Sequence, residues 1–316
     1  MKNLTERQVF PDFLKAFLIY MVVLGHSLGL LYRGNMDEYW NNGLITFIYS
    51  FHMPLFIAVS GFFLGGSSKK SLEDIALNKT KRLIVPICTI AFVTLVALLF
   101  SPQKLNVFLS SPIKGFYDCF TAYWYLDCLF ALMLIVGIFK RWTIVIGLCL
   151  LLVYEYLPYL VFKDLQIVRQ LFIFYFAYVL GQHKVKSIEY FFNYKYIILS
   201  VSLVAWAVII FVGGINLLHY PCWLRILVGL ASSISMLVLV NMVYDKIKNK
   251  NIGYLQRIGM NSLGIYILHV FIIQLLPSPH NTLLVLLLSV VLLVISSILT
   301  DFCRKTLLKK LLLGEF

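Results

Sequence analysis

Ten long apolar runs separated by short polar stretches organise this 316-residue chain. They fall at about 12–32, 43–65, 83–101, 119–139, 142–158, 166–183, 196–215, 222–244, 259–277 and 282–302. A helix crossing a bilayer needs roughly 20 apolar residues. The pattern therefore predicts an all-α, polytopic membrane bundle of about ten transmembrane helices. The polar stretches are too short for a soluble domain, so residues 1–316 read as a single integral-membrane domain with its chemistry inside or at the edge of the bundle. No repeat or low-complexity tract interrupts it. The first run is too long for a signal-peptide core, contains Asp12 and Lys15 and lacks a small-x-small cleavage site, so it is expected to be a retained span.

Composition sharpens this picture. With 61% apolar and 13% charged residues and a mean hydropathy of +0.89, the chain lies far from the balance of a soluble globular domain. A net charge of +13 raises nucleic acid as a partner, but the cations are scattered through the short polar stretches rather than gathered in one patch. Alternate stretches, together with the two termini, hold 21 of the 27 Lys and Arg residues, and the intervening ones hold six. The positive-inside rule then places both termini in the cytoplasm, as an even number of spans requires. The six cysteines show no C-x-x-C spacing and no His partners at metal-ligand intervals, so neither a disulfide framework nor a metal site is expected.

The chemistry sits where lipid should exclude it. Lys15 and His26 are eleven residues apart, about 1100° of helix, so they share a face and are separated by roughly 16 Å along the axis. Asp12, three residues before Lys15, can pair with it. Counted from the outer ends of their runs, His52, Asp127 and His269 lie roughly 12–14 Å deep, with His26 and Glu155 shallower. Arg169 and Arg225 stand near the outer mouth. Ionisable groups at one depth on several helices point to a polar cavity that opens outward. Taken singly, Lys15 also fits a snorkelling cation, His52 an interhelical hydrogen bond, Glu155 a solvated outer acid and Asp127 a buried acid with one hydrogen bond. Lys81 and Arg82 in "KTKRLIVP" fit either an orientation signal or a phosphate grip.

Lys15 to His26, "FHMPLFIAVSGFF" at 51–63, "KRLIVP" at 81–86, "YWYLDCLF" at 123–130, "FYFAYVLG" at 174–181 and "NSLGIYILH" at 261–269 resemble, in order and spacing, integral-membrane acyltransferase family 3 and its fucose 4-O-acetylase-like branch. The resemblance covers nearly the whole chain. It implies transfer of an acyl group, usually acetyl, from acetyl-CoA at the cytoplasmic side to a sugar or glycan hydroxyl at the outer side. It implies further that His26 matches the family's catalytic histidine and that Arg82 matches the basic residue expected near the donor. Lys15 stands where many members have arginine, keeping the charge but losing the planar fork.

On this basis the catalytic group is expected to be His26 with Asp127 and His269, and Glu155 is a further group able to orient the histidine or the sugar. Lys15, Lys81 and Arg82 are expected to bind the donor, and His52, Trp124, Glu155 and Arg169 to line the acceptor side. His26 would act as general base or carry the acyl group covalently. Acyl-CoA enters as co-substrate, with no permanently bound cofactor, and the membrane is expected to be the cytoplasmic membrane of a bacterium. The rival class is a multi-pass glycan exporter or permease. Pro54 and Ser60–Gly61 interrupt the second run as such proteins require, but no matching broken half is found.

Overall fold

The structure, a computed structural model, describes residues 9–67, 72–98, 123–156, 166–279 and 281–316. Among these residues all regular structure is helical. The helices are α1 (Val9–Leu28), α2 (Met36–Trp40), α3 (Gly43–Gly66), α4 (Leu72–Lys79), α5 (Val85–Leu98), α6 (Trp124–Phe139), α7 (Thr143–Tyr156), α8 (Gln166–Gln182), α9 (Lys184–Gly213), α10 (Cys222–Ile247), α11 (Gly253–Met260), α12 (Ser262–Gln274), α13 (Thr282–Arg304) and α14 (Leu308–Leu313). Six stretches are long and apolar enough to cross a membrane: α1, α3, α9, α10, α13 and Trp124–Tyr156, which joins α6 to α7. The other expected spans correspond to shorter described helices, and parts of the runs at 83–101, 119–139 and 142–158 lie outside the described residues. So do Lys2, Arg7, Lys69, Lys70, Lys104, Lys114 and Lys163, all counted for orientation.

Local chemistry sets the helix boundaries. The Asn42 side chain accepts from the backbone N–H groups of Leu44 and Ile45 and so caps α3, and Asn281 caps α13 in the same way through Leu284. The apolar stretch between α6 and α7 is broken at Lys140, whose φ of 46° is unusual for a residue with a side chain. A π-helical turn, Thr80–Ile84, leads from α4 into α5. The run expected as one span at 259–277 is divided into α11 and α12 at Asn261. The Asn261 amide donates to Ser297 Oγ and Asp301 Oδ1 at 3.2 and 3.0 Å, and Arg304 donates to its oxygen. The break is therefore locked to α13.

α1 and α3 form the centre. α1 packs against α3, α10, α11, α12 and α13, while α3 packs against α1, α6, α8 and α10. α9 lies at the rim and leaves apolar side chains such as Val201, Val204 and Phe211 exposed, as a lipid-facing helix does. Water gives little drive for association between helices inside a bilayer, so close packing through small residues matters more. A Cβ on Gly65 would come to 2.0 Å from the Tyr178 carbonyl oxygen, and one on Gly181 to 2.1 Å from the Phe62 oxygen. The small-xxx-small pair Gly61 and Gly65 thus serves contact between α3 and α8 within the chain. Gly259 approaches the Asp12 carbonyl equally closely, which seats α11 on the start of α1.

Candidate active site

α1 and α12 lie side by side, and each contributes a histidine from its last turns. His26 Nδ1 and His269 Nε2 are 2.9 Å apart, and the rings stack with centroids 5.1 Å apart at an interplanar angle of 15°. His269 Nδ1 is 2.7 Å from the Ile265 carbonyl oxygen. A carbonyl only accepts, so the proton of neutral His269 sits on Nδ1 and its Nε2 is an acceptor. His26 Nδ1 must then donate to it. The lone pair of His26 is left on Nε2. His269 is fully buried, whereas His26 keeps some exposed surface, so of the two only His26 is placed to meet a reactant. His52 is buried as well, with Nδ1 2.7 Å from the Ile48 oxygen and the Tyr49 ring edge-on at 4.7 Å. It lies within electrostatic range of His26.

A cavity of about 350 Å³ runs between α1, α3, α6 and α12 toward this pair. Lys15, Lys79 and Arg82 stand at its mouth, and Val22, Phe56, Tyr125 and Tyr266 line it further in. The Tyr266 ring is 5.9 Å from that of His269, and Val22 lies one turn before His26. The cavity thus has three cations and mostly apolar walls, and its lining reaches Val22 and Tyr266, about one helical turn from His26 and His269, which themselves are not lining residues. Its three cations are not equivalent. Lys15 Nζ is 2.8 Å from Asp12 Oδ1, whereas Arg82 is exposed and forms no ion pair among the described residues. Arg82 is therefore the cation of the three that is exposed without an ion pair among the described residues.

The family described as "Acyltransferase domain" matches residues 8–301. The chain belongs to this acyltransferase family. It is similar to nodulation protein NolL of Sinorhizobium fredii, 45% identical over 62 residues, which are 20% of this chain and 17% of that protein. It is also similar to nodulation protein NolL of Mesorhizobium japonicum, 32% identical over 119 residues, 35% of this chain and 32% of that one. The alignments span 17% and 32% of these curated relatives. No solved structure matches the chain.

The fold does not gather every residue singled out in the sequence. Asp127 is half-buried in the first turn of α6, within electrostatic range of Tyr266, and no hydrogen bond joins it to His26 or His269 among the described residues. Trp124 begins α6 and meets Tyr125 edge-on at 6.5 Å, and it is Tyr125 that lines the cavity. Glu155 accepts the backbone N–H of Trp223 at 3.3 Å, at the start of α10, where a carboxylate complements the helix dipole. Lys81 lies outside the cavity lining, with its ammonium 5.7 Å from the Phe316 ring centroid. Arg169 is bonded to Gln166. Lys79, Tyr125 and Tyr266 were not singled out as site residues from the sequence. Lys79 had a legible signal, since it stands three residues before Arg82 and so shares its helix face. The two tyrosines had none beyond their place in apolar motifs.

Proposed function

We propose that this acyltransferase moves an acyl group, acetyl in the first instance, from cytoplasmic acyl-CoA to a hydroxyl of a cell-surface or lipid-linked sugar. The cation-lined mouth is the CoA entrance, with Arg82 and Lys79 holding phosphates and the pantetheine arm extending along the apolar walls. In this reading the chain has ten spans, with both termini and the Lys15, Lys79 and Arg82 end in the cytoplasm of a bacterium, and the membrane is the cytoplasmic one. The observation that carries it is the chain of hydrogen bonds from the Ile265 carbonyl through His269 to His26, about one helical turn beyond Val22 and Tyr266 of that cavity.

His26 Nε2 takes the proton of the acceptor hydroxyl, and the oxygen attacks the thioester carbonyl. The C–S bond breaks, the ester forms, and the proton on His26 passes to the leaving thiolate. His269 holds His26 in the tautomer with Nε2 free and steadies the imidazolium that forms. A thioester is already activated, so proton transfer and positioning are the main needs. The direct test supplies labelled acetyl-CoA to the cytoplasmic face of membrane vesicles and follows label into glycan. Label transfer that vanishes in His26→Ala supports the reaction. Glycan movement across the membrane without label selects an exporter instead.

A further inference from the structure

The first turns of α8 hold polar groups that the reaction above leaves unused. Gln170 is fully buried, and neither its amide nitrogen nor its oxygen has a hydrogen-bond partner among the described residues. Its neighbour Arg169 has a buried Nε without a partner and one hydrogen bond from a terminal nitrogen, to the side chain of Gln166. Arg225 of the adjacent α10 lies within electrostatic range of Arg169. It donates to the Tyr220 oxygen at 2.8 Å and to the Leu218 oxygen. Among the described residues neither arginine forms an ion pair. Asp164, two residues before α8, lies outside the described residues, and Glu155 is taken by the start of α10.

Arg169 is half-buried with a buried, unpartnered Nε; a cation withdrawn from water without a counter-ion is costly, and a second cation nearby raises the cost. Helical side chains lean toward the N-terminus. Arg169 and Gln170 therefore lean toward the first turn of α8, where unbonded backbone N–H groups and the helix dipole add positive potential. Arg169 is also within electrostatic range of His52, which is itself in range of His26. Donors and positive charge converge here, with no anion supplied by the described chain.

We propose that Arg169, Gln170 and the first turn of α8, with Arg225, form an oxyanion subsite for the acceptor. The sugar that receives the acyl group then carries a phosphate, a diphosphate or a carboxylate. The guanidinium fork of Arg169 grips two oxygens of that group, and the Gln170 amide bonds the adjoining sugar hydroxyl. The assignment of this ligand as the acceptor rests on the acyl-transfer reading; the anion site itself does not.

The test measures binding to the purified full-length protein in detergent by isothermal titration, with inorganic diphosphate, glucuronate and uncharged methyl glucoside as probes. At least one anion binds the wild type and the glucoside does not; which anion binds separates a phosphate-linked acceptor from an acidic sugar. Arg169→Gln loses about tenfold or more in affinity, Arg169→Lys recovers part of it, and Lys81→Gln, outside the cavity lining, keeps it. Gln170→Leu weakens anion binding while raising the unfolding temperature, because it removes two unpaired buried polar atoms. Should Arg169→Gln fail to fold, the Lys and Leu variants carry the comparison. The proposal falls if neither anion binds, if affinity survives in full in Arg169→Gln, or if Gln170→Leu leaves binding unchanged. Because no acyl transfer is needed for this readout, failure of labelled acetyl-CoA to react would overturn the reaction without obscuring the anion site.

Discussion

Replacing His269 separates orientation from chemistry at the histidine pair. Leu at this position removes the acceptor 2.9 Å from His26 Nδ1, and the Ile265 oxygen keeps its own helical bond. His26 then loses one hydrogen bond that fixes its ring and tautomer, worth about 0.5–1.5 kcal/mol net, or a factor of about 2 to 13 in the correctly poised population. Gln at 269 keeps an acceptor oxygen within reach of Nδ1–H. Removing His26 itself deletes the proposed general base, with an expected loss of about 10²- to 10⁴-fold. The assay is label transfer from acetyl-CoA in reconstituted vesicles, normalised to folded protein, because an unpaired Nδ1–H also costs about 1–3 kcal/mol of stability when buried. The expected order of activity is wild type, His269→Gln, His269→Leu and, far below, His26→Ala. If His269→Leu is as inactive as His26→Ala, His269 takes part in the chemistry directly. If His269→Gln is no better than His269→Leu, the acceptor atom is not what the site needs.

Other consequences follow from the same geometry. Arg82→Gln and Lys79→Gln each raise KM for acyl-CoA by about three- to tenfold, an effect that shrinks at high salt, whereas Lys81→Gln, outside the cavity, leaves KM unchanged. A histidine base works only when neutral, so transfer falls as pH drops through the His26 pKa and recovers above it; an initial-rate pH profile that keeps its acid limb after removal of His26 assigns that limb elsewhere. Gly65→Val drives a branched side chain into the Tyr178 carbonyl, 2.0 Å from where its Cβ must lie, and destabilises the α3–α8 contact by about 1–3 kcal/mol or more, seen as a lower unfolding temperature in detergent. Glu155→Ala removes the acceptor for the Trp223 N–H and costs about 0.5–1 kcal/mol of stability, while KM for acyl-CoA stays the same.

Much of the architecture is written in the chain as one-dimensional chemistry. Runs of apolar residues can bury their backbone polar groups in lipid only as helices, so the all-α bundle follows from the sequence. The shared face of Lys15 and His26 follows too, because both lie on the single helix α1 and helical geometry alone relates them. The pairing of Asp12 with Lys15 is of the same kind. What sequence spacing does not contain is which helices meet. His26 and His269 are 243 residues apart, and only the packing of α12 on α1 makes His269, rather than Asp127 or Glu155, the neighbour of His26. The same holds for Glu155, which meets the start of α10 because α7 and α10 are adjacent, and for Lys81, which lies with Phe316 while Arg82 faces the cavity. Sequence fixed the periodicity of each helix and thus its faces; the close approach of glycines to carbonyls at Gly65, Gly181 and Gly259 chose the partners, since interhelical contact in a bilayer depends on shape more than on hydrophobicity.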